Sequence, residues 1–132
     1  MKSVRLSPFI GVNDILFSFS MDDMAQRLGA PRRRGRNAVA LDELDHGNLV
    51  LRFQDNDRLE EITTEAPVLT LGSVSIPFAA LKAFIQAQDS ETFERAGFTV
   101  SPRFGLAFVP NEPLWITALA RHCLPEWTAL PS

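Results

Sequence analysis

The sequence predicts an α+β protein in which a strand–helix–three-strand unit is used twice, with mostly antiparallel sheet and the helices packed on one face. Three observations predict it. The stretch ILFSFSMDDMAQRLGAP, residues 15–31, passes from strand-like alternation to a helical stripe and stops at Gly29 and Pro31. GSVSIPFAALKAFIQAQ, residues 72–88, repeats that order. Each is followed by an apolar hairpin, the first turning at QDND and the second at PNEP.

In the first half, Ile15, Phe17 and Phe19 alternate with Leu16 and Ser18, as in a strand. Ser20 stands three residues before Asp23, a capping-box start with Asp where Glu is preferred. Met21, Met24, Ala25 and Leu28 recur at helical spacing and give the following helix one apolar face. Gly29 and Pro31 close it. Arg32, Arg33, Arg34 and Arg36, set around Gly35, then read as an exposed surface loop rather than a phosphate clamp, because no aromatic residue lies between Leu28 and Leu41. NAVALDEL, GNLVLRFQ and RLEEITT read as three strands, with a turn at His46-Gly47. In the last of them Leu59 and Ile62 are three apart, out of phase for a flat strand, and a β-bulge between them repairs the phase.

TEAPV, residues 64–68, is the joint between repeat halves of about 1–66 and 67–132 within a single domain. Beyond it, Pro77 sits as a first-turn proline, and Phe78, Leu81 and Ile85 make a helical stripe with Phe84 beside it. DSETFERAG reads as an added helical turn capped by Ser90, and AGFTVSPR as a strand. In the final hairpin Leu106 and Phe108 oppose Leu114 and Ile116, but Gly105, Ala107, Val109, Trp115, Thr117 and Leu119 make the other face apolar too. Such a hairpin is either covered or meets a partner. The tail RHCLPEWTALPS reads as irregular chain anchored by Trp127. Met24, Leu28, Leu81 and Ile85 are expected to be buried with Phe53 and Phe108. Aligning Phe53 with Phe108 and Ile62 with Ile116 needs one gap.

Composition narrows the function. The 132 residues carry 45% hydrophobic and 22% charged side chains, ordinary for a globular chain. A net charge of −3 gives no general attraction to nucleic acid or anionic membrane, and neither is expected as a partner. The one cysteine, Cys123, permits no intrachain disulfide and leaves a structural zinc site short of its usual ligands. MKSVRLSPFIGVND holds no apolar run of signal-peptide kind, and the expected location is cytoplasmic. His122 and Cys123, read as neighbours on a strand, point to opposite faces and make no nucleophile–base pair. No catalytic residue, metal or cofactor is expected.

ILFSFSMDDMAQRLGAP followed by GNLVLRFQDNDRLEEI resembles the repeat unit of β-lactamase-inhibitor-protein-like proteins: a strand, a capped helix ending in Leu-Gly-x-Pro, and a hairpin with an aromatic strand end. The chain is also similar in size and style to immunity proteins that neutralise bacterial toxins. The match covers the first half well and the second loosely. The resemblance implies a non-enzymatic bacterial protein that binds another protein.

The charge pattern adds a candidate surface. Asp42, Glu43, Asp45, Asp55, Asp57, Glu60, Glu61 and Glu65 are opposed within residues 42–65 only by Arg52 and Arg58, eight acids against two bases, a net of −6. DNDRLEE lacks the central glycine of a calcium loop. Asp42, Glu43, Asp45, Asp55, Asp57, Glu60 and Glu61 are therefore expected to face a basic toxin or enzyme and steer its approach, with Trp115 as apolar anchor. The expected function is an immunity-type or toxin–antitoxin-like inhibitor that works by occlusion, as a monomer or homodimer. Two alternatives stand beside it. One is a small-ligand-binding protein or enzyme with a pocket between helices and sheet. The other is an oligomeric structural subunit using the final hairpin.

Overall fold

The computed structural model describes residues 3–37, 41–112 and 114–129. It is an α+β fold dominated by mostly antiparallel sheet. The chain opens with three short strands, β1 (Ser3–Ser7), β2 (Gly11–Val12) and β3 (Ile15–Leu16), then helix α1 (Met21–Leu28). A four-strand antiparallel meander follows: β4 (Arg33–Arg36), β5 (Asp42–Asp45), β6 (Leu49–Phe53) and β7 (Leu59–Glu65). The second half runs through the hairpin β8 (Val68–Leu71) and β9 (Val74–Pro77) to helix α2 (Phe78–Gln88). A second meander then comprises β10 (Phe93–Arg95), β11 (Phe98–Ser101), β12 (Leu106–Phe108) and β13 (Trp115–Leu119). A 3-10 turn (Arg121–Cys123) and helix α3 (Leu124–Ala129) end the described chain.

These strands form two sheets. The smaller has the order β3-β2-β1-β8-β9, with β1 and β8 parallel. The larger has the order β10-β11-β12-β13-β7-β6-β5-β4, so the two meanders join through their last strands, β13 and β7, at the centre. The main core lies between the sheets and the helices α1 and α2. Val4, Leu6, Leu69 and Ile76 come from the smaller sheet, Leu51, Phe53, Ile62, Phe108 and Ile116 from the larger, and Met24, Leu81 and Ile85 from the helices. The far face of the smaller sheet is polar, where Ser3, Thr70 and Ser75 join hydroxyl to hydroxyl at 2.7 and 3.1 Å.

Local signals explain much of this. The Ser20 hydroxyl accepts from the Asp23 N–H at 3.1 Å while the Asp23 carboxylate accepts from the Ser20 N–H at 2.8 Å, a complete capping box. Gly29 ends α1 at φ 74, a conformation that costs glycine little. The bulge lies where the phase of Leu59 and Ile62 requires it. Arg52 pairs with Glu61 and Phe53 with Leu59, which leaves Glu60 as the extra residue.

Other expectations need correction. Each helix is followed by four strands, not three, because two segments read as non-strand pair into the large sheet. The arginine loop is the edge strand β4, held by the ladder to β5. The helical turn expected in DSETFERAG, capped by Ser90, is instead a hydrogen-bonded turn, with the Thr92 N–H donating to the Asp89 carbonyl at 3.3 Å, that leads into β10. Leu28 is 37% exposed, because α1 has only two turns and buries Met24 alone. Pro77 precedes α2 as its N-cap rather than entering the first turn. Phe17 and Phe19 lie beyond the two-residue strand β3. The tail is helical, and it covers part of the second apolar face of the final hairpin. Cys123 and Trp127 pack on Val100, Ala107 and Leu119, the face of the large sheet turned away from the main core, so the helices do not all share one face. Residues 38–40 of the NAVALDEL strand and Pro113 of the PNEP turn lie outside the described residues. Among the described residues, no helix is long and apolar enough to cross a membrane.

Candidate functional site

The strand period sends alternate residues of the large sheet to its outer face. There Arg52 is the hub of a polar network. Its Nε donates to Glu43 at 2.7 Å, and one terminal nitrogen donates to Thr63 at 2.6 Å and to Glu61 at 3.3 Å. Thr63 is in turn 2.8 Å from the Thr117 hydroxyl. The Trp127 indole N–H donates to Glu61 at 3.2 Å, and its ring meets Phe98 edge-on at 5.0 Å, which docks α3 on the sheet. Burial, opposed by Arg52 and the Trp127 bond, raises the pKa of Glu61.

Beside this network is a recess of 160 Å³ lined by Arg52, Thr63, Phe98, Phe108, Val109, Glu112, Trp115 and Thr117. Trp115, expected from the sequence as an anchor, therefore stands at a cleft on a face that α3 leaves partly open. Other clefts differ in kind, among them one of 310 Å³ lined by Arg33, Arg34, Gly35, Glu43 and Asp45. One of 530 Å³ is lined by Arg32, Arg33, Asp45, Gly47, Asn48 and Glu65, with no apolar side chain. One of 160 Å³ lies between α1 and the sheet at Met24 and Leu44, smaller than the roughly 300 Å³ at which ligand pockets begin.

The acidic residues do not form the free surface that the sequence suggested. Arg33, Arg34 and Arg36 pair with Asp45 at 3.2 Å, Asp42 at 3.5 Å and Asp55 at 2.8 Å. Glu43 and Glu61 are held by Arg52. Asp55 and Asp57 are exposed at the β6–β7 turn, where Asp57 accepts from the Met21 N–H at 2.9 Å. Arg36 holds the Asp55 carboxyl below its ordinary range, and the Gly47 N–H, with Arg33, does the same for Asp45. Glu60 is the clear error: it is 0% exposed and cannot face a partner. The bulge turns it towards the tail, which covers it. The −6 of residues 42–65 leaves out β4, whose arginines the ladder lays against those acids.

Glu60 meets the tail instead. Its carboxylate accepts from Arg58 at 3.2 Å and from the Cys123 thiol at 2.8 Å, and touches His122 Nε2. Its carbonyl accepts from the Ala120 N–H at 2.9 Å. His122 and Cys123 were expected on opposite faces of a strand. The 3-10 turn brings both to one carboxylate. Burial first, then Glu60, push the Cys123 thiol far up, which disfavours the thiolate. One signal against irregular chain was present, because Pro125 suits the first turn of a helix, as in α3. Nothing in the sequence pointed from the tail to Glu60.

No family model, no curated protein and no solved structure matches the chain.

Proposed function

We propose that the chain is a non-enzymatic protein-binding module whose partner docks on the open part of the outer sheet face, around Trp115. The observation that carries this reading is the 160 Å³ recess there. It is too small for a typical ligand but suits one inserted side chain, the way interface hot spots are built. Arg52, Thr63 and Thr117 beside it are fixed by bonds to one another, so little order is lost on docking. Glu112 and the overall charge of −3 favour a basic partner, although the paired carboxylates leave a weaker field than their number suggests. In this reading the protein is a cytoplasmic inhibitor of immunity type that occludes a toxin or enzyme, and the resemblance of its first half to β-lactamase-inhibitor-protein-like repeats supports the protein-binding part of it.

The duplicated-unit reading of the fold belongs to the same proposal. What supports it is the matched order of elements, with Phe53 and Phe108 on the third strand of each meander and Ile62 and Ile116 on the fourth. The test of function is capture of the partner from the producing cells, then affinity measurement with wild type and Trp115→Ala. We expect a loss of about 2 kcal/mol, roughly thirtyfold in Kd. An unchanged Kd with the captured partner removes this face from the function.

A further inference from the structure

We infer that Glu60, His122 and Cys123 form a binding site for a divalent transition-metal cation of the zinc class. One carboxylate oxygen, one imidazole nitrogen and one sulfur, a different donor from each residue, lie within 4.8 Å of one another. The bulge in β7 and the 3-10 turn of the tail exist at this point and together make the convergence, across 63 residues of sequence. Mixed nitrogen, sulfur and oxygen donors suit zinc, cobalt and nickel, whereas calcium and magnesium take oxygen alone. Three protein donors with one side open is the pattern of a site that keeps a position for water. The open side is that of His122, whose side chain is 33% exposed while that of Glu60 is 1% exposed.

The charge balance also favours a cation. Glu60 is a buried carboxylate whose cationic neighbour Arg58 is itself 48% exposed at the side chain. A buried carboxylate is costly unless it is well paired. On binding, the Cys123 thiol proton would pass to solvent, and carboxylate plus thiolate would balance the divalent charge. The metal would replace the contacts that the three groups now make with each other, and would clamp the tail to β7. This site shares no residue with the Trp115 cleft, and either proposal stands without the other.

The test uses the full chain, stripped with chelator and titrated with Co²⁺ alone. We expect one equivalent bound, a thiolate-to-cobalt charge-transfer band in the near ultraviolet, and displacement of that band by Zn²⁺. Cys123→Ser should abolish the band. His122→Ala, at a partly exposed position, should keep the fold and weaken binding on the order of tenfold or more. Folding of each variant is checked by circular dichroism. Should Cys123→Ser fail to fold, X-ray absorption of the Zn²⁺-loaded wild type must show a sulfur neighbour. Absence of binding by folded wild type, binding untouched by His122→Ala, or a metal shell without sulfur overturns the site and leaves a hydrogen-bonded strut.

Discussion

Leu81→Ala and Leu28→Ala delete the same atoms from two helices, and the structure gives them very different effects. Leu81 is 0% exposed, between Phe78 and Ile85 on the buried stripe of α2, whereas Leu28 is 37% exposed at the end of α1. Three carbons are removed, about 2.4 kcal/mol of transfer free energy at ~0.8 kcal/mol per methylene. At Leu81 an unfilled space of roughly 50 Å³, at ~24 cal/mol per Å³, adds about 1 kcal/mol. Leu81→Ala should therefore cost about 3–4 kcal/mol and lower Tm by roughly 10–15 °C. Leu28→Ala loses only part of the transfer term and gains slightly in helix propensity, so about 1 kcal/mol or less is expected. The assay is urea unfolding followed by far-ultraviolet circular dichroism, with m-values compared so that a change in the unfolded state is not mistaken for lost packing. Equal costs at the two positions, or less than about 0.5 kcal/mol at Leu81, would refute this account of the core.

Two further outcomes follow from the charged groups. Asp89 is 5% exposed. Burial opposes its ionisation, but hydrogen bonds from Ser101, the Arg103 N–H and the Glu91 N–H, with the Arg103 charge, outweigh burial and lower its pKa. A depressed carboxyl stabilises above its unfolded pKa of about 3.9 and loses that stability as pH falls through the folded value. Asp89→Asn should hence be less stable than wild type at neutral pH, the gap closing in acid, and parallel melting-versus-pH curves for the two proteins would contradict this. The arginines of β4 are committed to Asp45, Asp42 and Asp55, so the folded chain should show no salt-sensitive binding to short DNA or RNA. Micromolar binding that vanishes in an Arg33→Ala/Arg34→Ala double variant would reverse that reading.

The sequence by itself determined the elements whose causes are local. The Ser20–Asp23 box and Gly29 bound α1, the spacing of Phe78, Leu81 and Ile85 defines the buried stripe of α2, and the phase of Leu59 and Ile62 gives away the bulge. Each depends on residues a few positions apart, within reach of one turn or one pleat. Only the tertiary structure decided what those elements meet. RRGR has no strand signal of its own and becomes a strand because β5 offers a ladder and matching carboxylates. The same pairing neutralises much of an acidic surface that looks free when charges are counted along the chain. RHCLPEW folds as a 3-10 turn and helix over Ala107 and Leu119 on the back of β12 and β13, which accounts for that part of the hairpin's second apolar face. Glu60, an ordinary acid in a charged run, is buried against His122 and Cys123, because the bulge fixes its direction and long-range docking supplies its neighbours. Side-chain direction follows from local phase, whereas burial and charge pairing depend on which distant strands and tail lie alongside.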